Sequence, residues 1–316
     1  MIIKRSWADD KEVDVRWHSN AYLAKHRLYL FWHDKDVCPC DKYGFRIPNN
    51  FENIFEKFNK SKDKIKIFCF GGSTTFGQYC SFENTYPHYL EQMNNQKYEV
   101  FNFGGCDSDA RTEMYILVDL IRLHLIPDVV IFLDGINEKQ GWFASFYNKP
   151  YEEINLHYPW FKSLMDNKTL FNHFKNSLRM FLSRIKKLIF FKIDDLRQNI
   201  IDGNLSESSL SEFDNVAQLK ESYLNSYKVV NQICKSYSIQ SYHILQPTVY
   251  DCLDESPTRY RHIKAFYNSV ISEGFENILD ISQHTHINEL EFIDWQHLDK
   301  NGNKSLAESI FNKLGL

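Results

Sequence analysis

Ser73, Asp294 and His297 are residue types that can together carry out nucleophilic chemistry. A serine hydroxyl is a weak nucleophile at neutral pH unless a base takes its proton, and a histidine does this best when a carboxylate fixes its tautomer. Asp294 and His297 are three positions apart, so a single helical turn or tight loop puts both side chains on one side. The pattern is compatible with a serine nucleophile that is assisted by a histidine and an aspartate.

The stretch IKIFCFGGSTTFGQY, residues 65–79, contains the candidate nucleophile. Its apolar run predicts a buried strand of a parallel sheet, and Gly71-Gly72 predicts the sharp turn that ends it. The carboxyl ends of such strands line the crevice in which open α/β sheets bind ligands, which places Ser73 at the ligand end of the sheet. A simpler interpretation is that Ser73 only N-caps the next helix.

Strand and helix patterns alternate along much of the chain, which predicts βαβ units and a parallel sheet with right-handed crossovers. Two more strand ends, at Gly104-Gly105 and at Asn137, then meet the same sheet edge as Ser73. The predicted elements after strand 65–70 are a helix at 86–92, a strand at 99–105, a helix at 111–124, a strand at 128–138, a helix to 237, strands at 241–246 and 277–281, and a last helix after Asn301-Gly302-Asn303.

Two regions fall outside this alternation. Residues 1–62 are rich in aromatic and charged residues and are interpreted as an N-terminal extension packed on the core domain of residues 63–316. The core is interrupted near residues 140–215 by an expected helical insertion, whose segment 175–192 has one apolar face and a basic remainder. That segment is typical either of a cap helix with a solvated basic face or of a helix that contacts a membrane surface or an anionic substrate.

Composition narrows the range of partners. The chain has 316 residues, 43% of them hydrophobic, which suits one enlarged domain with a large core. A net charge of −4 gives no argument for nucleic-acid binding and favours a small-molecule partner. No apolar segment has the length of a membrane span, and seven cysteines, an odd number, without a secretion signal favour reduced thiols in the cytoplasm.

Three motifs carry a resemblance to a known family. GGSTTFG, the apolar strand ending in GINE, and DWQH followed by a C-terminal helix resemble blocks I, III and V of the SGNH (GDSL-type) hydrolase superfamily. The resemblance covers residues 65–138 and 241–316. It implies a flavodoxin-like three-layer α/β/α sandwich with a parallel sheet.

The resemblance also implies roles for residues and a reaction. Ser73 would be the nucleophile, His297 the general base and then acid, and Asp294 the orienting carboxylate. Oxyanion donors would be the Ser73 and Gly105 N–H groups and the Asn137 side-chain amide, although Asn137 alone is also typical of a turn. No metal or cofactor is implied.

The expected activity is a serine esterase acting on a carboxylic ester, such as the O-acetyl ester of a carbohydrate or glycan intermediate, through an acyl-serine intermediate. An O-acyltransferase that uses the same triad is an alternative, and a non-catalytic glycan- or lipid-binding protein is a third. The sequence does not separate hydrolysis from transfer.

The sequence departs from the family pattern in three places. Gly72 stands where the name-giving motif has aspartate, and Glu138 replaces the aspartate that often follows the block III asparagine. Asp107 occupies the spacing of the block II glycine, and an ionised carboxylate close to an oxyanion would oppose it. Gly105 is therefore the expected block II donor, and Asp107 either points away or binds substrate.

Further candidates have weaker signals. His284 and His286 flank a threonine and could suggest a metal, but without a carboxylate partner they are more typical of a polar loop. Gln246 ends a strand and could line the pocket. Arg46 could bind an anionic substrate group or form a structural ion pair.

Overall fold

The computed structural model describes residues 23–24, 31–32, 40–41, 43–48, 50–105, 108–138, 216–252, 258–281, 287–288 and 291–316. The expected insertion at 140–215, with its basic segment 175–192, lies outside these residues. So do Asp107 and the pair His284 and His286.

A five-stranded sheet forms the centre of the molecule. All its strands are parallel, and their order is β4-β3-β5-β6-β7. The strands are β3 (Ile65–Gly71), β4 (Tyr98–Asn102), β5 (Val129–Asp134), β6 (Gln240–Leu245) and β7 (Ile278–Asp280), and two short antiparallel strands, β1 (Leu23–Ala24) and β2 (Phe31–Trp32), precede them. Counted within the sheet, this is the flavodoxin-like order 2-1-3-4-5.

Helices cover both faces of the sheet, which confirms the three-layer architecture. They are α1 (Ile54–Lys60), α2 (Ser73–Phe76), α3 (Tyr86–Met93), α4 (Ala110–Arg122), α5 (Val216–Ser236), α6 (Thr258–Ile271) and α7 (Lys300–Leu314), with single 3₁₀ turns at Phe82–Asn84 and Val249–Cys252. Alternate residues of β3 point to opposite faces. Ile67 and Cys69 pack with residues of α3 and α7, and Phe68 and Phe70 pack with residues of α1, α4 and α5.

The start of the C-terminal helix differs from the prediction. Asn301, Gly302 and Asn303 form the first turn of α7 instead of a turn before it. Asp299 is the N-cap, and its Oδ1 accepts the Gly302 N–H at 2.8 Å. A Cβ at Gly302 would meet the Glu291 carbonyl oxygen at 2.7 Å, so this position needs glycine because the chain passes so close.

Among the residues described, no helix is both long and apolar enough to cross a membrane.

Helix α1 of the N-terminal extension is fastened to the core by a buried lysine. Lys57 is 1% exposed, and its Nζ donates to Glu91 Oε2 at 2.8 Å and to the Val100 carbonyl at 2.5 Å. Glu99 Oε1 lies 3.4 Å from the same ammonium. One cation thus connects α1 with α3 and β4, and its desolvation is offset by two carboxylates and a carbonyl.

Replacing Lys57 with Met should therefore destabilise the fold. The change leaves the half-buried Glu91 without its cation, while Glu99 keeps its ion pair with Lys64 at 2.9 Å. We expect a loss of about 3 kcal/mol in the free energy of unfolding. The matched control is Lys60→Met on the same helix, which removes an exposed ion pair with Glu56 and should cost less than about 1 kcal/mol. Urea unfolding of both variants measures the difference, and equal losses would contradict the role of Lys57.

Candidate active site

Ser73 lies at the carboxyl end of the first long strand. Gly72 is the N-cap of α2 and Ser73 its first residue, so the interpretation of Ser73 as the N-cap is wrong. Gly71 has φ +150°, and a Cβ there would meet Thr75 Oγ1 at 2.1 Å and the Leu133 carbonyl at 2.9 Å. The backbone therefore turns directly from strand into helix. As a first-turn residue, Ser73 has a backbone N–H without an acceptor inside its own helix.

A continuous hydrogen-bonded chain joins Ser73 to the C-terminal region. Ser73 Oγ lies 2.7 Å from His297 Nε2, and His297 Nδ1 lies 2.6 Å from Asp294 Oδ2. Ser73 and His297 are 6% and 5% exposed. Because Nδ1 faces a carboxylate it carries the proton, which leaves Nε2 to accept from the serine hydroxyl.

The loop that carries Asp294 and His297 is closed by its own backbone. The Ile293 N–H donates to the His297 carbonyl at 2.8 Å, and Phe292 pairs with Leu298 as an antiparallel bridge. Asp294 Oδ1 accepts the backbone N–H groups of Gln296 at 2.9 Å and of His297 at 2.8 Å. One carboxylate thus shapes the loop with one oxygen and orients the imidazole with the other.

The charge of Asp294 follows from these contacts. Burial on its own raises the pKa of this carboxyl, but the imidazole of His297 and the two backbone N–H groups outweigh burial and lower the pKa below its usual value. Asp294 is therefore ionised at neutral pH, as a group that stabilises an imidazolium must be.

Asn137 follows β5 and lies against the turn that precedes Ser73. Its Nδ2 donates to the Ser108 carbonyl at 2.5 Å. A Cβ at Gly72 would lie 2.1 Å from the same Nδ2, so the Asn137 amide occupies the space that any side chain at position 72 needs. The glycine at the position of the family's aspartate therefore has a steric reason in this chain.

The expected oxyanion role of Gly105 is not compatible with its hydrogen bonding. The Gly105 N–H donates to the Gly71 carbonyl at 3.0 Å, which continues the pairing of β4 with β3 past the end of the strand. A donor occupied in this way is not directed at a ligand. Gly104 instead allows close packing, since a Cβ there would lie 2.3 Å from the backbone nitrogen of Phe76.

Gln246 lies beside Ser73, but its amide is engaged within the protein. Its Nε2 donates to Thr74 Oγ1 at 2.7 Å and to the Gln296 carbonyl at 3.1 Å. Gln246 therefore connects the end of β6 with the nucleophile turn and with the histidine loop. Sequence reasoning did not identify Thr74 and Gln296; their adjacency to Ser73 and His297 was the available signal.

Arg46 does not lie where it could bind an anionic substrate group. The side chain is 1% exposed and donates to backbone carbonyls of the segment after Ser73. An anionic substrate group would have to displace these carbonyls, so the structure assigns Arg46 to the support of the site.

The buried carboxyl groups of Glu138 and Glu113 have raised pKa values. Glu138 joins two elements: its Oε1 accepts the Ala110 N–H at the start of α4, and its Oε2 accepts the Gly135 N–H at the end of β5, both at 2.8 Å. Burial, then the charges of Asp134 and Asp109, raise the pKa of Glu138 to about 8 despite the opposing hydrogen bond from the Ala110 N–H. Burial likewise raises the pKa of Glu113 well above its usual value.

Stability should consequently fall between pH 5 and pH 8. A carboxyl group whose pKa is about 8 in the folded protein and 4.5 in the unfolded chain stabilises the fold fully below pH 4.5 and loses this contribution as pH rises through 8. The slope is at most about 1.4 kcal/mol per pH unit for one group. We expect Glu138→Gln, which does not titrate, to show a smaller difference in unfolding free energy between pH 5.5 and pH 8.5.

The exposed Glu221→Gln serves as the control, and it should keep the wild-type slope. Glu113 contributes in the same direction in all three proteins, so the slope of Glu138→Gln should be reduced without vanishing. An unchanged slope in Glu138→Gln would contradict the raised pKa.

Placing an aspartate at position 72, as in the family that the sequence resembles, should impair the site. Because the Asn137 amide fills that space, Gly72→Asp must displace it, and Gly72→Ala already places a Cβ in contact with it. If Asn137 has the oxyanion role that the resemblance implies, both variants should react more slowly with a fluorophosphonate probe, by about 10²-fold. Gly274→Ala, where a Cβ meets nothing within 4 Å, is the control. Wild-type reactivity of Gly72→Asp would refute this account.

In the described part of the chain, no group of three or more His, Cys, Asp or Glu residues is placed to hold a metal ion. The side chains that converge on Ser73 are an imidazole, a carboxylate and amides. Such a set favours proton transfer and hydrogen bonding to a developing negative charge.

No protein-family model matches the chain, and no curated protein matches it either. Solved structures with a similar fold include an acetyl xylan esterase, at 15% identity and TM-score 0.45 over 79% of this chain and 100% of that one. Another is a putative lipolytic protein of the G-D-S-L family from Desulfitobacterium hafniense, at 15% identity and TM-score 0.42 over 79% of this chain and 99% of that one. A carbohydrate acetylesterase family member from Sinorhizobium meliloti has 11% identity and TM-score 0.42 over 80% and 100%. At these values the likeness carries no argument about function, which is argued from the site alone.

Proposed function

We propose that this protein is a serine ester hydrolase that acts through an acyl-Ser73 intermediate. The observation that carries the proposal is the hydrogen-bonded chain from Ser73 Oγ through His297 to Asp294, with distances of 2.7 and 2.6 Å. Nucleophile, base and orienting acid are thus within hydrogen-bond reach of one another, as nucleophilic catalysis requires.

In the proposed first step, Ser73 Oγ attacks the carbonyl carbon of the ester while its proton passes to His297 Nε2. Asp294, ionised and bonded to Nδ1, stabilises the imidazolium that forms. The carbonyl oxygen becomes an oxyanion, for which the candidate donors are the Ser73 N–H and the second N–H of the Asn137 amide, whose first N–H donates to the Ser108 carbonyl. Collapse breaks the bond to the alcohol oxygen, and that oxygen takes the proton from Nε2.

The second step repeats this chemistry with water as the nucleophile. His297 Nε2 takes a proton from water, the hydroxyl adds to the acyl carbon, and the intermediate releases the carboxylic acid. Ser73 Oγ leaves with the proton from Nε2, which restores the starting state. Every proton thus moves between Nε2 and an oxygen, and His297 is the only side chain of the triad that carries an added proton between the steps.

The surroundings of Ser73 favour a small acyl group on a polar alcohol. The described side chains around Ser73 and His297 include the polar Thr74, Gln246, Gln296 and Asn137, and the Tyr79 ring packs on the imidazole. A long acyl chain gains affinity from an extended apolar surface, which one aromatic ring among polar groups does not offer. We propose an O-acetyl ester of a carbohydrate or glycan intermediate as the substrate class.

Hydrolysis of p-nitrophenyl esters from acetate to decanoate tests the proposal. We expect the highest kcat/KM with acetate and a loss in kcat of about 10⁴-fold or more in Ser73→Ala and His297→Ala, because the nucleophile or the base is removed. Asp294→Asn should lose about 10⁴-fold, since an amide supports the wrong tautomer. The exposed Ser272→Ala is the matched control and should keep wild-type activity.

Full activity of Ser73→Ala, or wild-type protein that neither turns over esters nor reacts with a fluorophosphonate probe, would overturn the proposed mechanism. A preference for decanoate would refute the substrate class but leave the mechanism. Faster capture of the acyl group by an added sugar alcohol than by water would show transfer in place of hydrolysis.

A further inference from the structure

Arg46, a residue of the N-terminal extension, is built into the interior beside the nucleophile turn. Its backbone forms antiparallel bridges to Cys40 and to Asn102 at the end of β4. The extension therefore follows the edge of the sheet at the level where the strands end. The Asn102 side chain continues this connection, since its Nδ2 donates to the Thr75 carbonyl in α2 at 2.8 Å.

The guanidinium of Arg46 binds three carbonyls of one short segment. Nη1 donates to Phe76 O at 2.9 Å and to Gly77 O at 2.8 Å, and Nη2 donates to Cys80 O at 3.0 Å. The same group lies over the Phe76 ring, 5.2 Å from its centroid. A planar fork with several fixed donors fits these three acceptors, whereas an ammonium is a single point of charge.

The segment that Arg46 binds is closed directly onto Ser73. The Ser73 carbonyl accepts the N–H groups of Gly77 at 3.0 Å and of Gln78 at 2.9 Å. Gly77 has φ +79°, and a Cβ there would contact Arg46 Nη1 at 2.9 Å. A shift of the Phe76–Cys80 backbone would therefore move the backbone of the proposed nucleophile.

The same segment also contacts the proposed base. Tyr79 has φ +71°, a conformation that costs a residue with a side chain about 1–2 kcal/mol. Its ring packs edge to face with the imidazole of His297, with centroids 5.2 Å apart at 86°. Arg46 binds carbonyls on both sides of Tyr79, at Gly77 and Cys80, and so opposes relaxation of this conformation.

We propose that Arg46 is a positioning residue for the reaction and that the N-terminal extension is thereby part of the active site. The proposal rests on the proposed function of Ser73 and His297 and goes beyond it. One guanidinium holds the turn of the nucleophile and the tyrosine that packs on the base. Arg46 itself contacts no reacting atom.

The test compares Arg46→Met and Arg46→Lys with Arg122→Met, which removes an exposed arginine from α4. Misplacement of catalytic groups on the order of 1 Å costs about 10²-fold in rate. We therefore expect kcat with p-nitrophenyl acetate to fall by about 10²-fold in both Arg46 variants, with KM changed much less. Arg122→Met should match the wild type.

Chemical rescue separates positioning from general loss of structure. In Arg46→Ala, guanidinium chloride at concentrations far below those that unfold proteins should enter the vacated site and raise kcat and the fluorophosphonate labelling rate. Sodium chloride at the same ionic strength should not. Circular dichroism of each variant reports whether the fold is retained.

A folded Arg46→Lys or Arg46→Met with wild-type kcat would overturn the proposal. So would failure of Arg46→Lys to fold, which would make Arg46 a requirement of the whole fold. A folded Arg46→Ala that is inactive and not rescued would also count against it. Wild-type protein that is not labelled by the probe would instead refute the proposed function, so the two failures are distinguishable.

Discussion

The geometry of the site depends on one hydrogen bond, 2.7 Å long, between Ser73 and His297, which are 224 positions apart in the chain. Proton transfer requires both atoms to be held at this distance, and neither residue supplies that constraint itself. Ser73 is fixed by the strand-to-helix turn after β3. His297 is fixed by a loop that Asp294 closes, which in turn precedes α7. Packing of α7 against α3 on one face of the sheet thus brings the two partners together.

The strand order determines which loops can meet at Ser73. Because β3 lies between β4 and β5 in a parallel sheet, the loops that follow β4 and β5 flank the turn at Gly72. Neighbouring groups then approach the backbone so closely at two positions that no side chain fits there. Asn137 lies against Gly72, and the backbone of Phe76 lies against Gly104. These glycines are consequences of the convergence of three strand ends on one point.

Local patterns predicted much of this arrangement. Apolar runs ending in polar residues identified the long strands, and the spacing of Asp294 and His297 placed both on one loop. The helix at Thr258–Ile271 was missed although Ile263, Phe266 and Val270 have helical spacing. The engagement of the Gly105 N–H could not be predicted, since it depends on where β4 stops pairing with β3. Likewise, no sequence pattern relates Gln246 to Thr74, because their contact exists only after the sheet and the tail have assembled.

The described part of the N-terminal extension contributes two buried cations, Lys57 and Arg46, and burying a charge is unfavourable. Transferring a charge from water to a protein interior costs several kcal/mol per ion, and an apolar side chain would avoid that cost. For Lys57, the carboxylates of Glu91 and Glu99 offset this cost, and the contacts hold α1 to the sheet. Arg46 donates to three neutral carbonyls and lies over the Phe76 ring. The guanidinium holds three acceptors of the segment Phe76–Cys80 in one geometry, and two N–H groups of that segment donate to the Ser73 carbonyl.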